Sequence, residues 1–325
     1  MPTAARVEMS YTQRGALDDL LYRREPAWWE LLAEDPLLFV ARRAFAACQP
    51  NPPPEADDLQ CSSPPRARVV CISDTHNHHS LLPPLPPGDI LIHAGDLTMS
   101  GTEEEIDSAL AWLDAAPHAH KIVIAGNHDT ALASEQRDAI LQRYPSLTYL
   151  EDSSITLEVQ GRLLSVYGNP RSPKHGSGVF QYQYDAYHWE RRLPPYTDIL
   201  VTHGPPKTHL DWKLVGCQHL LKSVWLTRPR LHVCGHIHVG RGVRYLTWSR
   251  PQKWYELACQ TNAGRWSRLI NTVLVVGAAL GAKIVGRPKF LGGEGTILVN
   301  AASAGGARDN LRQGPIVVNV PLPER

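Results

Sequence analysis

The chain has 325 residues, with 33 Lys and Arg set against 32 Asp and Glu. That length accommodates one large α/β domain with extensions. The near balance of charge supplies no basic excess of the kind a nucleic-acid backbone attracts, and no acidic tail is present.

Met1 to Arg14 lacks the apolar stretch of a secretory signal. The cysteines at 48, 61, 71, 217, 234 and 259 lie far apart and form no CxxC pair. This usage fits a reducing compartment, so the expected location is cytoplasmic. Cys71 and Cys234 sit inside apolar runs and read as small core residues. Residues 1–48 read as a helical extension, with Trp28, Trp29, Leu31, Leu32, Leu37, Leu38 and Phe45 on its apolar face. Residues 49–66, rich in Pro, Ser and Asp, read as a linker. The main domain is expected over 67–325.

Within it, Ala67–Ser73, Asp89–Ala94 and Lys121–Ala125 are short Val- and Ile-rich runs, as buried strands require. Between the second and third, Thr102-Glu103-Glu104-Glu105 forms a capping box, with Thr102 accepting and Glu105 reaching back. Ile106, Ala109, Leu110 and Leu113 then make one helical stripe. A further helix is predicted over Ser134–Gln142. Leu163–Tyr167, Asp198–Thr202 and Leu231–Cys234 are strands, with a helix near Gln218–Leu226 that Pro229 limits. Thr296–Asn300 and Ile316–Val320 read as later strands. No internal repeat is visible. Alternating strands and helices favour an α/β fold, with ligands gathering at the carboxyl ends of the strands.

Leu269–Val285 is mostly apolar and is flanked by Arg265, Trp266, Arg268, Arg287 and Lys289. Trp and basic residues beside an apolar stretch mark membrane interfaces. The stretch is short for a span and carries Asn271 and Lys283. A single crossing would also separate the last two strands from the rest of the domain. Two readings stay open: a helix packed on the domain, and a peripheral membrane contact.

Five motifs end predicted strands: Ser73-Asp74-Thr75-His76, Gly95-Asp96-Leu97-Thr98, Gly126-Asn127-His128-Asp129, Thr202-His203-Gly204 and Gly235-His236-Ile237-His238. Each alone has a plain structural explanation, as a turn, a surface pair or a loop residue. Together, in this order, they offer Asp74, His76, Asp96, Asn127, His203, His236 and His238 as ligands for two divalent ions. In an extended chain residues i and i+2 share a side, so Asp74 and His76, like His236 and His238, can face one ion. Asp96 can bridge both. Mixed nitrogen and oxygen donors suit Mn²⁺, Fe²⁺ or Zn²⁺ better than Ca²⁺. His78 and His79 read as solvated loop residues and His93 as a core histidine.

These motifs resemble the calcineurin-like metallophosphoesterase superfamily. Cys71–His76, Lys121–His128 and Asp198–Pro206 look closest to its metallophosphoesterase-domain-containing, UPF0046-like branch. The resemblance covers about 67–320, and residues 1–66 and about 241–295 depart from the compact pattern. It implies a four-layer αββα sandwich in which 241–295 is an insertion carrying the apolar helix. It implies one ion on Asp74, His76, Asp96 and His238, and another on Asp96, Asn127, His203 and His236. Every ligand position is filled.

The expected chemistry is phosphoester hydrolysis by a water that two cations, about 3.5–4 Å apart, acidify between them. His128 would stabilise the transition state or protonate the leaving oxygen. Asp129 would either orient that imidazole or cap the turn at Thr130–Ala133. The segment Gly168–Trp189 brings Arg171, Lys174 and His175 as phosphate contacts. Its rings, Phe180, Tyr182, Tyr184 and Tyr187, either pack or stack on a base. His209 and Trp212 are placed to border the pocket. Small phosphodiesters such as cyclic nucleotides are the expected substrates. A monoesterase or protein phosphatase, a nuclease, and a silent nucleotide- or partner-binding protein are the alternatives.

Overall fold

The structure, a computed structural model, describes residues 27–50, 65–183, 186–212, 214–260, 262–287, 295–305 and 311–324. The expectations for Met1–Arg14, Cys61, Tyr184, Lys289 and most of the linker lie outside the described residues.

Two sheets stack face to face. In the first, β1 (Arg66–Ile72), β2 (Ile90–Ala94), β3 (His120–Ile124) and β4 (Thr148–Tyr149) run parallel, and β15 (Ile316–Pro321) pairs antiparallel with β1. In the second, β6 (Arg162–Asn169), β9 (Ile199–Thr202), β10 (Leu231–Cys234) and β12 (Thr296–Asn300) are parallel. Its edges are β5 (Ser153–Val159) beside β6 and β11 (Gly242–Leu246) beside β12, both antiparallel. Two small pairs, β7 (Ser172–Pro173) with β8 (Gln181–Tyr182) and β13 (Ala304–Gly305) with β14 (Leu311–Arg312), lie outside the sheets.

The inner strands of each sheet are covered on both faces, which is why they are nearly all apolar. Ala67, Val69 and Cys71 point into the core between the sheets, against residues such as Val166, Val201, Val233 and Val299. Their neighbours Val70 and Ile72 point the other way, onto α3 (Glu103–Asp114) and α4 (Arg137–Gln142). α5 (Gln218–Thr227) covers the outer face of the second sheet through Leu220 and Val224. The four layers are helix, sheet, sheet, helix.

Local chemistry sets the helix limits. Thr102 Oγ1 accepts from the Glu105 N–H at 3.3 Å. The Glu105 carboxylate does not close the box on Thr102; it reaches further back, accepting from the N–H groups of Ser100 at 2.8 Å and Gly101 at 3.0 Å. α4 is shorter than its pattern. Thr130–Ala133 forms a 3₁₀ turn and Ser134 is extended, so the helix waits until Arg137. α5 stops where Arg228 turns left-handed ahead of Pro229.

The segment set apart as an insertion from 241 begins inside the fold, because β11 is an edge strand of the second sheet. Beside the sheets lies a helical annex. α1 (Trp28–Glu34) leads into α2 (Pro36–Cys48), and α2 packs on α6 (Arg250–Ala258) and α7 (Arg265–Val285). Its small core joins Ala41, Phe45, Tyr255, Ala258, Cys259 and Val275. Phe45 stacks on Tyr255 with centroids 4.2 Å apart. Asp35 caps α2 by accepting from Leu38 N–H at 3.0 Å and also pairs with Arg268 of α7. The annex is tied to the loop after β9, where Tyr255 Oη–H donates to the Thr208 carbonyl at 3.1 Å.

Candidate metal centre

The carboxyl ends of β1, β2, β3, β9 and β10 converge, and the five motifs are the loops that leave them. Backbone conformation there is unusual. Asp74, His76, Asp96 and His236 all have positive φ, at 52°, 43°, 53° and 66°. The expected extended i, i+2 device therefore fails: β1 has ended at Ile72 and β10 at Cys234, and curled loops aim the side chains instead. Such conformations cost about 1–3 kcal/mol each and persist where the surroundings hold them.

The surroundings do so. Asp74 accepts from the His236 backbone N–H on both oxygens, each at 3.0 Å. Asp96 Oδ1 accepts from the His128 N–H at 2.9 Å. The motif glycines permit this closeness. A Cβ at Gly126 would stand 2.2 Å from Asp96 Oδ1, and one at Gly235 would stand 2.1 Å from Asp74 Oδ2.

Asp74, His76 and His238 form one group of donors and Asp96, His203 and His236 a second, and His76, Asp96 and His128 form a third that overlaps both; in each the ligand atoms lie within 4.8 Å of one another. Asn127 Oδ1 joins the second, 3.1 Å from His203 Nε2. The same oxygen, Asp96 Oδ2, lies 3.3 Å from His203 Nε2 and 3.8 Å from His76 Nε2, so it stands between the two groups. His76 Nε2 is 3.4 Å from His238 Nε2.

Tautomers follow from the outer contacts. His76 Nδ1–H donates to the Thr98 carbonyl at 3.0 Å, and His203 Nδ1–H to the Ala94 carbonyl at 2.9 Å. In the neutral rings both Nε2 lone pairs then point inward, at other acceptors. Lone pairs gathered around one space, with the far ring nitrogens fixed by carbonyls, are what a divalent cation requires.

The electrostatics agree. Burial opposes ionisation of Asp96, but the charge and hydrogen bond of His203, then His76, hold its pKa well below the carboxylate range. Asp74 is held low in the same way against burial, chiefly by His238. Burial works against a charged His203 too, yet Asp96 and then Asp74 raise it to about 9. His236 is pushed down to about 3 by burial and then by His203. The potential that draws a proton to His203 is the potential that draws a cation.

A model of the calcineurin-like phosphoesterase family matches residues 67–240, more than half of the chain. The chain belongs to the calcineurin-like phosphoesterase family. It is 38% identical over 211 residues to human metallophosphoesterase domain-containing protein 1, covering 55% of this chain and 63% of that protein. It is 36% identical over 221 residues to a UPF0046 protein of Caenorhabditis elegans, covering 60% of this chain and 76% of that one. A probable rhamnogalacturonate lyase C of Emericella nidulans is 42% identical over 320 residues, which take in 94% of this chain but 29% of that protein. The chain thus spans less than two thirds of the first and third of these relatives.

Within this phosphoesterase domain, His128 stands beside the first group, its ring centroid 4.8 Å from that of His76. Its Nδ1–H donates to the Met99 carbonyl at 2.8 Å, which turns Nε2 toward the cluster. Asp129 does neither thing expected of it. The His128 ring nitrogen Nδ1 is taken by the Met99 carbonyl and not by Asp129, and Asp129 does not cap the turn that follows. Fully buried, it accepts from the N–H groups of Gly126, Leu97 and Thr98 and from Thr98 Oγ1, at 2.8, 3.2, 3.0 and 2.7 Å. It ties the β2 loop to the β3 loop, although burial and then Asp96 push its acid up to about 6.

Other expectations also change. Arg171 turns toward Glu151, with Nη2 to Oε1 at 3.8 Å, and shares a side cavity with Arg137 and Tyr149. His175 is beside the cluster, its ring 5.7 Å from His236. Phe180, Tyr182 and Tyr187 are packing residues: Tyr182 stacks on Tyr187 at 4.6 Å and accepts from Trp189 Nε1–H at 3.0 Å. His209 is buried in the annex contact, 2.8 Å from Glu256 Oε1, while Trp212 is 37% exposed. His79 is buried rather than solvated, tilted against Trp112. His93 is a core residue paired with Thr75 Oγ1 at 3.1 Å.

Proposed function

We propose that this chain is a dimetal-dependent phosphodiesterase acting on small phosphodiesters such as cyclic nucleotides, with Mn²⁺ as the working ion. The observation that carries the proposal is the single Asp96 oxygen standing between two clusters of inward-facing imidazoles and a second buried carboxylate. Asp74, His76, Asp96 and His238 would hold one ion, and Asp96, Asn127, His203 and His236 the other. Bound there, the pair supplies Lewis acidity for an acidified water and for the phosphoryl oxygens.

The chain's own residues do the rest. The carbonyls of Thr98 and Ala94 fix ring orientation, so the donors need no reorganisation on binding. His128, anchored at Nδ1, presents Nε2 to the cluster, where it serves to stabilise the transition state or to pass a proton to the leaving oxygen. The imidazoles of His128 and His175 flank the cluster, and Arg171 is engaged by Glu151. A singly charged diester asks for less fixed positive charge than a doubly charged monoester. The balanced overall charge weighs against a nuclease, which tracks its substrate with a basic groove.

The test compares hydrolysis of bis(p-nitrophenyl) phosphate, p-nitrophenyl phosphate and a cyclic nucleotide, each with and without Mn²⁺. Mn²⁺-dependent turnover that favours the diesters is expected. Preference for the monoester, or two ions bound with no turnover of any ester, would overturn the diesterase reading.

A further inference from the structure

α7 carries its polarity the wrong way round for a helix on a soluble domain. The face packed on α2 and α6 includes the polar residues Asn271 and Thr272 beside Val275 and Ala279. The opposite face repeats at helical spacing through Trp266, Ile270, Val273, Gly277, Leu280 and Ile284, without a polar side chain. The five larger residues of this stripe are 75%, 58%, 60%, 55% and 85% exposed, in that order. Over the 18-residue separation of its ends the stripe runs about 27 Å.

Charge selects what fits it. Arg265–Val285 contains no Asp or Glu. Arg265, Lys283 and Arg287 stand at its two ends, with Trp266 beside Arg265. Arg268 is engaged by Asp35 and is not counted. The acids facing this end from the neighbouring helices are Glu34 and Asp35. A continuous apolar stripe with basic ends and an interfacial Trp fits the headgroup boundary of an anionic bilayer. The topology excludes a crossing: β11 leads into the annex, β12 leads out of it, and Leu246 pairs directly with Thr296. Both ends of the excursion therefore belong to one side.

We propose that the outward face of α7 docks on an anionic phospholipid surface, with the helix lying in the plane of the interface. The proposal stands apart from the hydrolytic reading, since none of these residues belongs to the metal cluster.

The experiment is co-sedimentation of the full chain with vesicles of phosphatidylserine and phosphatidylcholine in equal parts, and of phosphatidylcholine alone. The wild type should pellet with the mixed vesicles, and less with the neutral ones. Val273→Glu with Ile284→Glu should weaken that binding by about tenfold or more, and Arg265→Gln with Lys283→Gln and Arg287→Gln should remove the preference for anionic lipid. All variants should keep the wild-type circular dichroism and ester hydrolysis, because the substituted positions are exposed. Wild type that stays in solution with both vesicles would overturn the proposal, as would unchanged binding of the double-Glu variant. A wild-type dimer in light scattering that the double-Glu variant reduces to a monomer would assign the face to a second copy of this chain instead.

Discussion

The metal centre and the annex depart from the ordinary division between apolar interior and polar surface in opposite directions. At the strand ends Asp74, Asp96 and His203 lie in the interior, where an unpaired charge is costly. On α7, Val273 and Ile284 lie in the open while Asn271 and Thr272 are covered. The first departure is held by a dense lattice of backbone donors and carbonyls. The second is held by nothing on its outer side among the described residues. A buried polar cluster with every support in place points inward to a ligand, whereas an exposed apolar stripe points outward to a surface.

The sharpest way to break the first half of this contrast is Asp96→Asn. Losing the oxygen shared between the clusters should abolish paired metal binding and lower Mn²⁺-dependent hydrolysis by on the order of 10³-fold. Elemental analysis beside a diester assay reads both effects. Full activity in this variant would end the account of the site. His128→Ala should cost about 10²-fold in turnover and leave both ions bound, because His128 contributes to proton transfer and not to the proposed ligand sets.

The contrast between the two faces of α7 is sharpened by a pair of substitutions two residues apart. Val275→Ser, in the annex core, should cost about 2–3 kcal/mol in urea unfolding. Val273→Ser, on the outer stripe, should stay within about 0.5 kcal/mol. Equal losses would mean that the helix is packed on both sides.

The smallest effect tests how the annex is pinned. Asp35→Ala removes the α2 cap and should cost about 1 kcal/mol at neutral pH. Burial alone would raise the Asp35 acid, but the Leu38 N–H and the Arg268 guanidinium outweigh it and lower its pKa. A carboxyl held lower in the folded chain stabilises above its unfolded pKa, and loses that contribution as pH falls through the folded value. The difference between wild type and Asp35→Ala should therefore shrink in acid, as unfolding at neutral and strongly acidic pH would show.

The sequence disclosed these regions unequally, for physical reasons. Strand-ending motifs are short, and their residue types are seldom found in this combination and order, so the gathering of Asp74, His76, Asp96, His203, His236 and His238 at one place is legible in the motifs. The backbone that aims them is not. Positive φ at Asp74, His76, Asp96 and His236 leaves no mark in residue type except the neighbouring glycines, whose absent Cβ makes room for the carboxylates. The role of Asp129 is not legible, because a carboxylate accepting from a distant loop looks the same in sequence as one serving its neighbour. β5 does carry a legible signal, since Ile155, Leu157 and Val159 alternate with polar residues as a half-buried edge strand requires. For α7, periodicity separates two faces but does not say which one the fold covers. That depends on α2 and α6, far away in sequence.

The most direct test of the metal centre is stoichiometry. Purified, folded protein supplied with Mn²⁺ and then freed of loosely bound ions should retain two ions per chain by elemental analysis, and Asp96→Asn should retain at most one. Wild-type protein that is folded and supplied in this way, yet holds no pair of ions, would contradict the account.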